Sequence, residues 1–225
     1  MNIFGIDGAP QGWSVAYRQK DGKVNLTLVR NLNEFMERFP EATHIAIDMI
    51  IGLPDKAYKG GRTAEKEARK LLSPRGSVVF SSPCRDAVYA DNYQEALTIN
   101  RRSSSDHVGL SKQSFNISSK IKEVDLFIRT HTGVHSRIYE THPELSFWEM
   151  NQKTPLYSKH SKEGREQRVA LLKESKLLPN MKLTKDDLDA LACLWSAIRI
   201  QKKQANSIPY KVPRDRLSLP MKITW

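Results

Sequence analysis

Three aspartates lie in stretches of the sequence that are otherwise apolar. Asp7 and Asp48 each follow a run of apolar residues in the first fifty residues, and Asp189 lies inside a third run near the C-terminus. Removing water from an ionised carboxylate costs several kcal/mol unless a partner compensates for the charge. Three such residues therefore predict a fold that gathers them around a shared cation.

The first fifty residues have the pattern of a sheet with one helix. The pattern predicts, in order, a strand that ends at Asp7, strands at 13–17 and 24–29, a helix at 33–39 and a strand at 44–48. The continuous apolar run of the last strand is typical of a buried parallel strand. If that strand pairs in parallel with the first, Asp7 and Asp48 become neighbours at the carboxyl ends, where open sheets of this kind bind ligands.

The middle of the chain has a different pattern. Residues 55–132 contain long polar helical stretches, such as 63–72 and 113–130, around a loop at 73–85 that is rich in Ser, Pro, Gly and Arg. We interpret this segment as a mainly helical insertion over the sheet.

The remaining third returns to alternating strand and helix. It predicts a short strand at 137–140, helices at 143–150, 162–175 and 186–201, and a short strand at 221–225. Three prolines after residue 206 favour an extended surface segment. The whole pattern predicts one α/β domain over 1–205, with a mixed central sheet flanked by helices, and an extended tail over 206–225.

Charge and hydropathy limit the partners of the chain. The net charge is +11 and the isoelectric point is about 9.6, and such a field attracts polyanions through their phosphates. A merely solvated basic surface is the alternative. No run approaches the roughly 18 apolar residues of a membrane helix, and Cys84 and Cys193 lack metal-ligand spacing. We expect a soluble, cytoplasmic protein with reduced thiols and no membrane partner.

The helix at 186–201 begins with a capping pair. Thr184 is a suitable N-cap, and Asp187, three residues on, completes the pair. The helix dipole also stabilises acidic residues in the first turn. Capping and the dipole together explain why Asp187, and in part Asp186, lie at this position. Asp189 lies too far inside the helix to cap it, and Asp186 lies on the same side. We interpret Asp189 and Asp186 as metal ligands, with Asp187 as the competitor of Asp186.

An ordered set of motifs resembles a known family. The motifs are Ile6-Asp7-Gly8, Ile47-Asp48 with Ile51-Gly52-Leu53-Pro54, Tyr139-Glu140 with His142-Pro143-Glu144, Ser158-Lys159 with Gly164 and Arg168, and Asp186 with Asp189-Ala190-Leu191-Ala192. Over roughly residues 3–200 the chain resembles an uncharacterised-domain family of predicted RNase H-like nucleases, related to the RuvC-type junction resolvases. The resemblance implies an RNase H-like (RuvC-like) fold and a nuclease activity.

The resemblance also implies a metal site and a mechanism. It implies that Asp7, Asp48, Asp186 and Asp189 bind divalent metal, and hard oxygen ligands favour Mg²⁺ or Mn²⁺ over zinc. Two ions would support hydrolysis of a phosphodiester bond in DNA or RNA. By analogy with the resolvases, a homodimer is possible, although the sequence shows no strong interface signal.

Glu140 and His142 leave two interpretations open. Glu140 ends a predicted strand and could complete the catalytic set, because strand-end acids in such sheets lie close to the site. The alternative is that Glu140 and His142 fix the following turn and helix.

Candidate substrate contacts lie in the predicted insertion. They are Arg62, Arg69, Arg75, Ser77, Arg85, Lys112 and Gln113. Arginine and lysine would hold phosphates without reading sequence, whereas Gln113 could contact a base edge. The alternative is a hydrated surface loop.

Two other functions remain open on the sequence. ATPases with a related sheet also hold Mg²⁺ through acids, but they need a duplicated domain and glycine-rich phosphate loops, which this sequence lacks. The second alternative is a non-catalytic nucleic-acid-binding protein with an RNase H-like fold, in which the acids stabilise the structure.

Overall fold

The computed structural model describes residues 2–19, 21–131 and 133–225, and in them the chain forms a mixed α/β structure. The strands are β1 (Ile3–Ala9), β2 (Gly12–Arg18), β3 (Val24–Val29), β4 (His44–Ile47), β5 (Ile138–Glu140), β6 (Ser207–Ile208) and β7 (Ile223–Thr224). The helices are α1 (Leu32–Arg38), α2 (Thr63–Leu71), α3 (Arg85–Val88), α4 (Tyr93–Arg102), α5 (Lys112–Asn116), α6 (Ser118–Thr130), α7 (Pro143–Met150), α8 (Lys162–Glu174) and α9 (Lys185–Gln201). Within these described ranges, no helix is long and apolar enough to cross a membrane.

A five-stranded mixed sheet forms the centre of the fold, in the order β3-β2-β1-β4-β5. β1, β2 and β3 form an antiparallel meander, while β4 pairs in parallel with β1 and β5 in parallel with β4. The predicted meander and the predicted parallel pairing of the first and fourth strands are therefore confirmed. The parallel pairs align the carboxyl ends of β1, β4 and β5 at one edge.

Helix α9 packs closely against one face of the sheet because Gly5 has no side chain. A Cβ atom at Gly5 would overlap the backbone of Ala190 and Leu194 and lie 2.6 Å from the carbonyl carbon of Cys193. Small side chains line the same contact, since Ala16, Ala46, Ala190 and Cys193 are all fully buried in one hydrophobic cluster. This close approach brings the first turns of α9 to the carboxyl ends of β1 and β4.

The Cα positions divide the chain into two compact units. The first consists of the chain up to Met49 together with Ser136–Asn206 and Thr224–Trp225, and it contains the five-stranded sheet, α1, α7, α8 and α9. The second consists of Ile50–His135 and Ser207–Ile223 and contains α2 to α6. The second unit thus includes the predicted helical insertion and also most of the segment that the sequence predicts as a tail.

The helix predicted over 113–130 is two helices in the structure. Ile117 has φ −93° and ψ −1°, and it ends α5 and precedes α6. Ser111 caps the first of them, because its hydroxyl accepts a hydrogen bond from the Ser114 amide at 3.0 Å. The cap fixes the start of α5, whereas the division falls at Ile117, at the start of α6.

The segment predicted as an extended tail is anchored inside the second unit by Asp215. The Asp215 carboxylate accepts hydrogen bonds from the backbone amides of Leu53 at 3.0 Å, Leu217 at 2.8 Å and Leu219 at 2.9 Å. It also forms an ion pair with Arg85 at 2.5 Å. A buried carboxylate with this many donors fixes the segment in place, a long-range interaction that proline content does not reveal.

Candidate metal centre

Asp7 and Asp48 lie side by side at the carboxyl ends of β1 and β4. The parallel register pairs Ile6 with Ile47, and the Asp48 amide continues the ladder by donating to the Ile6 carbonyl at 2.9 Å. Residues that follow a paired position lie on the opposite face from it, so the two carboxyl groups share one face of the sheet. Gly5 lies on this face as well, so α9 covers it.

Asp7 and Asp48 are adjacent buried acids that interact. Burial raises the pKa of Asp7 well above its ordinary value, and the charges of Asp48 and Asp189 raise it further. Burial likewise raises the pKa of Asp48, although a hydrogen bond from Asp7 and the charges of His142 and Lys159 act in the opposite direction. Two adjacent acids in a dry site cannot both ionise at low cost. Burial and the neighbouring negative charges therefore favour the neutral form of Asp7.

Asp189 reaches the same place from α9. Its side chain is buried, and its Oδ2 accepts a hydrogen bond from Lys159 Nζ at 2.8 Å. Burial raises the pKa of Asp189 to about 6 even though Lys159 lowers it, and the charges of Asp48 and Glu144 contribute to the rise. An acid that keeps a raised pKa beside an ammonium lies in a strongly negative environment.

Lys159 is the cation that faces these acids. It precedes α8, and its side chain is 37% exposed. Burial alone would lower the pKa of Lys159, but the negative charges of Asp189, Asp48 and Asp7 outweigh burial and raise it. One ammonium thus faces three carboxyl groups, and full ionisation of the three acids would leave an excess of negative charge.

The donor types fit Mg²⁺ or Mn²⁺, but the present arrangement does not form a finished coordination shell. Across the described ranges, no three His, Cys, Asp or Glu side chains are placed to hold a metal ion as they stand. One of the donor groups is already in use, since Lys159 Nζ donates to Asp189 Oδ2 at 2.8 Å. A metal ion at this oxygen would have to compete with the ammonium.

Asp186 and Asp187 differ in what they contact. Asp187 completes the predicted capping pair, because Thr184 Oγ1 accepts from the Asp187 amide at 3.1 Å and Asp187 Oδ2 accepts from the Thr184 amide at 2.8 Å. Ser14 Oγ donates to the other Asp187 oxygen at 2.7 Å. Burial opposes the ionised form, but these bonds outweigh it and lower the pKa of Asp187. The negative charge of Asp186, in contrast, raises the pKa of Asp7.

Glu140 lies on the other face of the sheet. β5 pairs Glu140 with Ile47, so its side chain lies on the face of Ile47 and away from that of Asp48. The structure therefore separates Glu140 from the carboxylates with which the sequence grouped it. His142 takes the structural role that was left open: it is the N-cap of α7, and its Nδ1 accepts from the Glu144 amide at 3.2 Å.

Lys159 and Glu144 lie next to the acid cluster, and the sequence analysis assigned neither of them a role. Both lie in the motifs that carry the family resemblance. Glu144 is buried in a two-pronged ion pair with Arg168, with oxygen to Nη2 distances of 2.6 and 2.7 Å, and its charge raises the pKa of both Asp48 and Asp189. The signal in the sequence was that Glu144, Lys159 and Arg168 all lie in the motifs that match the family.

The predicted substrate contacts all lie in the second unit and fall into two groups. Arg62 and Arg85 are buried in ion pairs, Arg62 with Glu65 at 2.7 Å and Arg85 with Asp125 at 2.7 Å. Burial gives these two side chains a structural role in place of the predicted phosphate contact. The others are exposed or half-buried: Arg69, Arg75, Ser77, Lys112 and Gln113. Of these, Arg69 and Ser77 line a common cavity.

Comparison with known proteins places the chain in a family. No curated protein and no solved structure matches the chain significantly. A family model described as "Protein of unknown function (DUF429)" matches residues 5–214, which includes most of β1, the other four strands of the sheet and every acid of the cluster. The chain therefore belongs to the DUF429 family.

Proposed function

We propose that the protein is a divalent-metal-dependent nuclease with an RNase H-like fold. The observation that carries this proposal is the convergence of Asp7, Asp48 and Asp189, from three separate elements, on a place that holds one cation for three acids. A charge imbalance of this kind is costly in a protein interior unless it serves binding. The sheet, with its antiparallel meander followed by two parallel strands, agrees with the fold that the motif resemblance implies.

Asp7, Asp48 and Asp189 would hold the metal, and Asp186 would add a fourth carboxylate from the first turn of α9. Bound Mg²⁺ or Mn²⁺, as one ion or two, supplies Lewis-acid activation of water and stabilisation of the charge on the leaving oxygen. The raised pKa values support this assignment, because metal ligation favours the ionised form that burial disfavours.

The side chains around the acids have separate tasks. Asp7 and Asp48 would both have to be ionised to act as ligands, against the burial that raises their pKa values. Lys159, freed from Asp189, would provide an ammonium for a phosphate of the substrate. Ser14 and Thr184 hold Asp187, and so fix the first turn of α9, from which Asp186 and Asp189 project. The net charge of +11 favours nucleic acid as the partner.

One observation favours a second function, that of a non-catalytic nucleic-acid-binding protein. The Lys159 to Asp189 ion pair and the hydrogen bond from Asp7 to Asp48 already compensate part of the buried charge without metal. A cluster that is satisfied in this way can stabilise a fold without performing chemistry.

A cleavage assay distinguishes the two functions. The purified protein is incubated with labelled single-stranded, duplex, hybrid and branched DNA and RNA in Mg²⁺, Mn²⁺ or EDTA, beside an Asp7→Asn/Asp189→Asn double variant. An Asp187→Asn variant is the matched control, because it changes an acid of the same helix that is bound to Thr184 and Ser14. We expect cleavage that requires metal, survives in the control and disappears in the double variant. Tight binding without cleavage in any metal would establish the binding-protein function instead.

A further inference from the structure

A cavity inside the second unit has the size of a ligand site. Its volume is about 360 Å³. Pockets that bind small molecules measure about 300 to 1,000 Å³. Its walls come from three segments of the second unit, 58–60, 77–82 and 108–114, together with Arg69 and Asn100.

The lining of this cavity is cationic and rich in hydroxyl groups. Lys59 and Arg69 contribute positive charge, and none of the described residues that line the cavity is Asp or Glu. Five serines and one tyrosine contribute hydroxyl groups; the serines are Ser77, Ser81, Ser82, Ser111 and Ser114. A pocket with cations, hydroxyl groups and no carboxylate favours an anion such as phosphate. The hydroxyl groups of Ser82 and Ser111 donate to Pro83 and Ser114, so Lys59 and the hydroxyl groups of Ser77, Ser81 and Ser114 are the donors for such an anion.

Arg69 holds two of the walls in place. Its Nε donates to the Val79 carbonyl at 2.9 Å and its Nη1 to the Gly60 carbonyl at 2.6 Å. Its Nη2 donates to Ser81 Oγ at 2.8 Å. One rigid guanidinium therefore joins the 58–60 and 77–82 segments, so the cavity is formed before a ligand arrives, which reduces the entropy lost on binding.

Two aromatic rings of the lining are open to solvent. Tyr58 is 50% exposed and Phe80 is 38% exposed. Large apolar rings at the mouth of a polar cavity gain favourable contact when a planar group stacks on them. Base stacking on an aromatic side chain is tolerant of sequence because every base has a π-face.

We propose that this cavity binds a nucleotide unit, with the phosphate held by Lys59 and the serine hydroxyl groups and the base stacked on Tyr58 or Phe80. The ligand chemistry is a phosphate with an attached planar base. It has two sources, a free mononucleotide or one unit of a single strand; the single-strand source rests on the nuclease function proposed above.

Binding is measured by calorimetry in EDTA, so that the outcome is independent of metal and of cleavage. The probes are 5′-AMP, 5′-UMP, inorganic phosphate, short oligo(dT) and short oligo(U). The variants are Tyr58→Ala, Phe80→Leu and Lys59→Ala, with Tyr210→Ala and Lys56→Ala as matched controls. Tyr210 is 96% exposed and lies outside the cavity lining, as does the exposed Lys56. Circular dichroism verifies that each variant is folded.

We expect a nucleotide or an oligonucleotide to bind more tightly than phosphate. Tyr58→Ala or Phe80→Leu should weaken this binding by about fivefold or more, while phosphate affinity stays unchanged. Lys59→Ala should weaken both, and the two controls should match the wild type. Mononucleotide binding would identify a free nucleotide as the ligand, and binding of oligonucleotides alone would identify a strand. Absence of binding, or equal binding by every variant, would overturn the proposal.

The nuclease function is judged separately by the metal-dependent cleavage assay. Cleavage without any effect of the cavity variants on binding would leave the nuclease and remove the nucleotide site. Nucleotide binding that the Asp7→Asn/Asp189→Asn variant retains, in a protein that cleaves nothing, would support the site and remove the nuclease.

Discussion

Lys159 Nζ lies 2.8 Å from Asp189 Oδ2 and occupies a carboxylate that a metal ion would need. The pair is part of a cluster in which Asp7 and Asp48 face the same ammonium. In the proposed metal site, a metal ion and this lysine would compete for one set of oxygens.

Replacement of Lys159 should tighten metal binding. An ammonium close to a bound divalent cation costs on the order of a few kcal/mol at an effective dielectric constant of about 20, and partial exposure of Lys159 reduces this cost. We expect Lys159→Met to bind Mn²⁺ roughly tenfold more tightly by calorimetry and to melt at a lower temperature in EDTA. Lys162→Met, in an exposed pair with Glu166, is the control and should behave like the wild type. Equal Mn²⁺ affinity in the wild type and Lys159→Met would show that the lysine does not compete.

The metal-free protein should lose stability as the pH rises from about 4 to 6.5, between the unfolded and the folded pKa of Asp189. The folded-state pKa of Asp189 is about 6 and lies above its unfolded value, so the folded protein binds this proton more tightly. Its contribution is present at low pH and is lost as the pH rises through 6, with a size on the order of 2 to 3 kcal/mol. Urea unfolding in EDTA measures the trend, and Asp189→Asn should flatten it.

Asp187→Asn is the opposing control for this pH dependence. The folded-state pKa of Asp187 is lowered, so its contribution is present above its unfolded pKa and is lost as the pH falls through the folded value. We expect the variant to be about 1 kcal/mol less stable at neutral pH, the usual size of a lost cap. The difference from the wild type should shrink in acid. If Asp187→Asn instead removed the loss of stability between about pH 4 and 6.5, the titration assigned to Asp189 would belong to Asp187.

Gly5→Ala should destabilise the first unit. The added methyl group would overlap the backbone of Ala190 and Leu194, so α9 has to move away from β1. We expect a loss of roughly 2 kcal/mol or more in the free energy of unfolding, together with weaker metal binding. Gly109→Ala is the control, since a Cβ there meets nothing within 4 Å. A Gly5→Ala protein as stable as this control would contradict the close packing of α9.

Arg85 should matter for folding and Lys112 for binding. Arg85 is buried between Asp125 and Asp215, so Arg85→Leu leaves two buried carboxylates without their cation, at a cost of about 3 to 5 kcal/mol. Lys112 is exposed, so Lys112→Ala should leave the urea midpoint unchanged. In a filter-binding titration, Lys112→Ala should weaken nucleic-acid affinity and reduce its salt dependence. If Arg85→Leu is stable but fails to bind nucleic acid, Arg85 contacts phosphate, as the sequence predicts, and its role in folding is minor.

The sequence predicts the sheet and much of the acid cluster for a clear physical reason. Strand runs and helix caps are local patterns, so β1, β4 and the start of α9 are readable without tertiary information. The approach of Asp7 to Asp48 follows from one assumption, parallel pairing.

Other features depend on interactions that local patterns do not encode. The face on which Glu140 lies follows from the pairing register of β5, and a shift of one residue would reverse it. The partners of Arg62 and Arg85 are buried acids, and those of Arg85 lie 40 and 130 residues away along the chain. Lys159 lies outside any helix or strand, so no periodicity indicates its contact with Asp189.

The first unit is discontinuous along the chain, and this has a consequence for its synthesis. Asp7 and Asp48 are synthesised before the Ile50–His135 segment of the second unit, while Lys159 and Asp189 follow that segment. A nascent chain that has reached only the second unit exposes the face of the sheet that α9 later covers and has neither the third acid nor the lysine. The cluster therefore forms late, because it requires the two separated parts of the first unit to pack together.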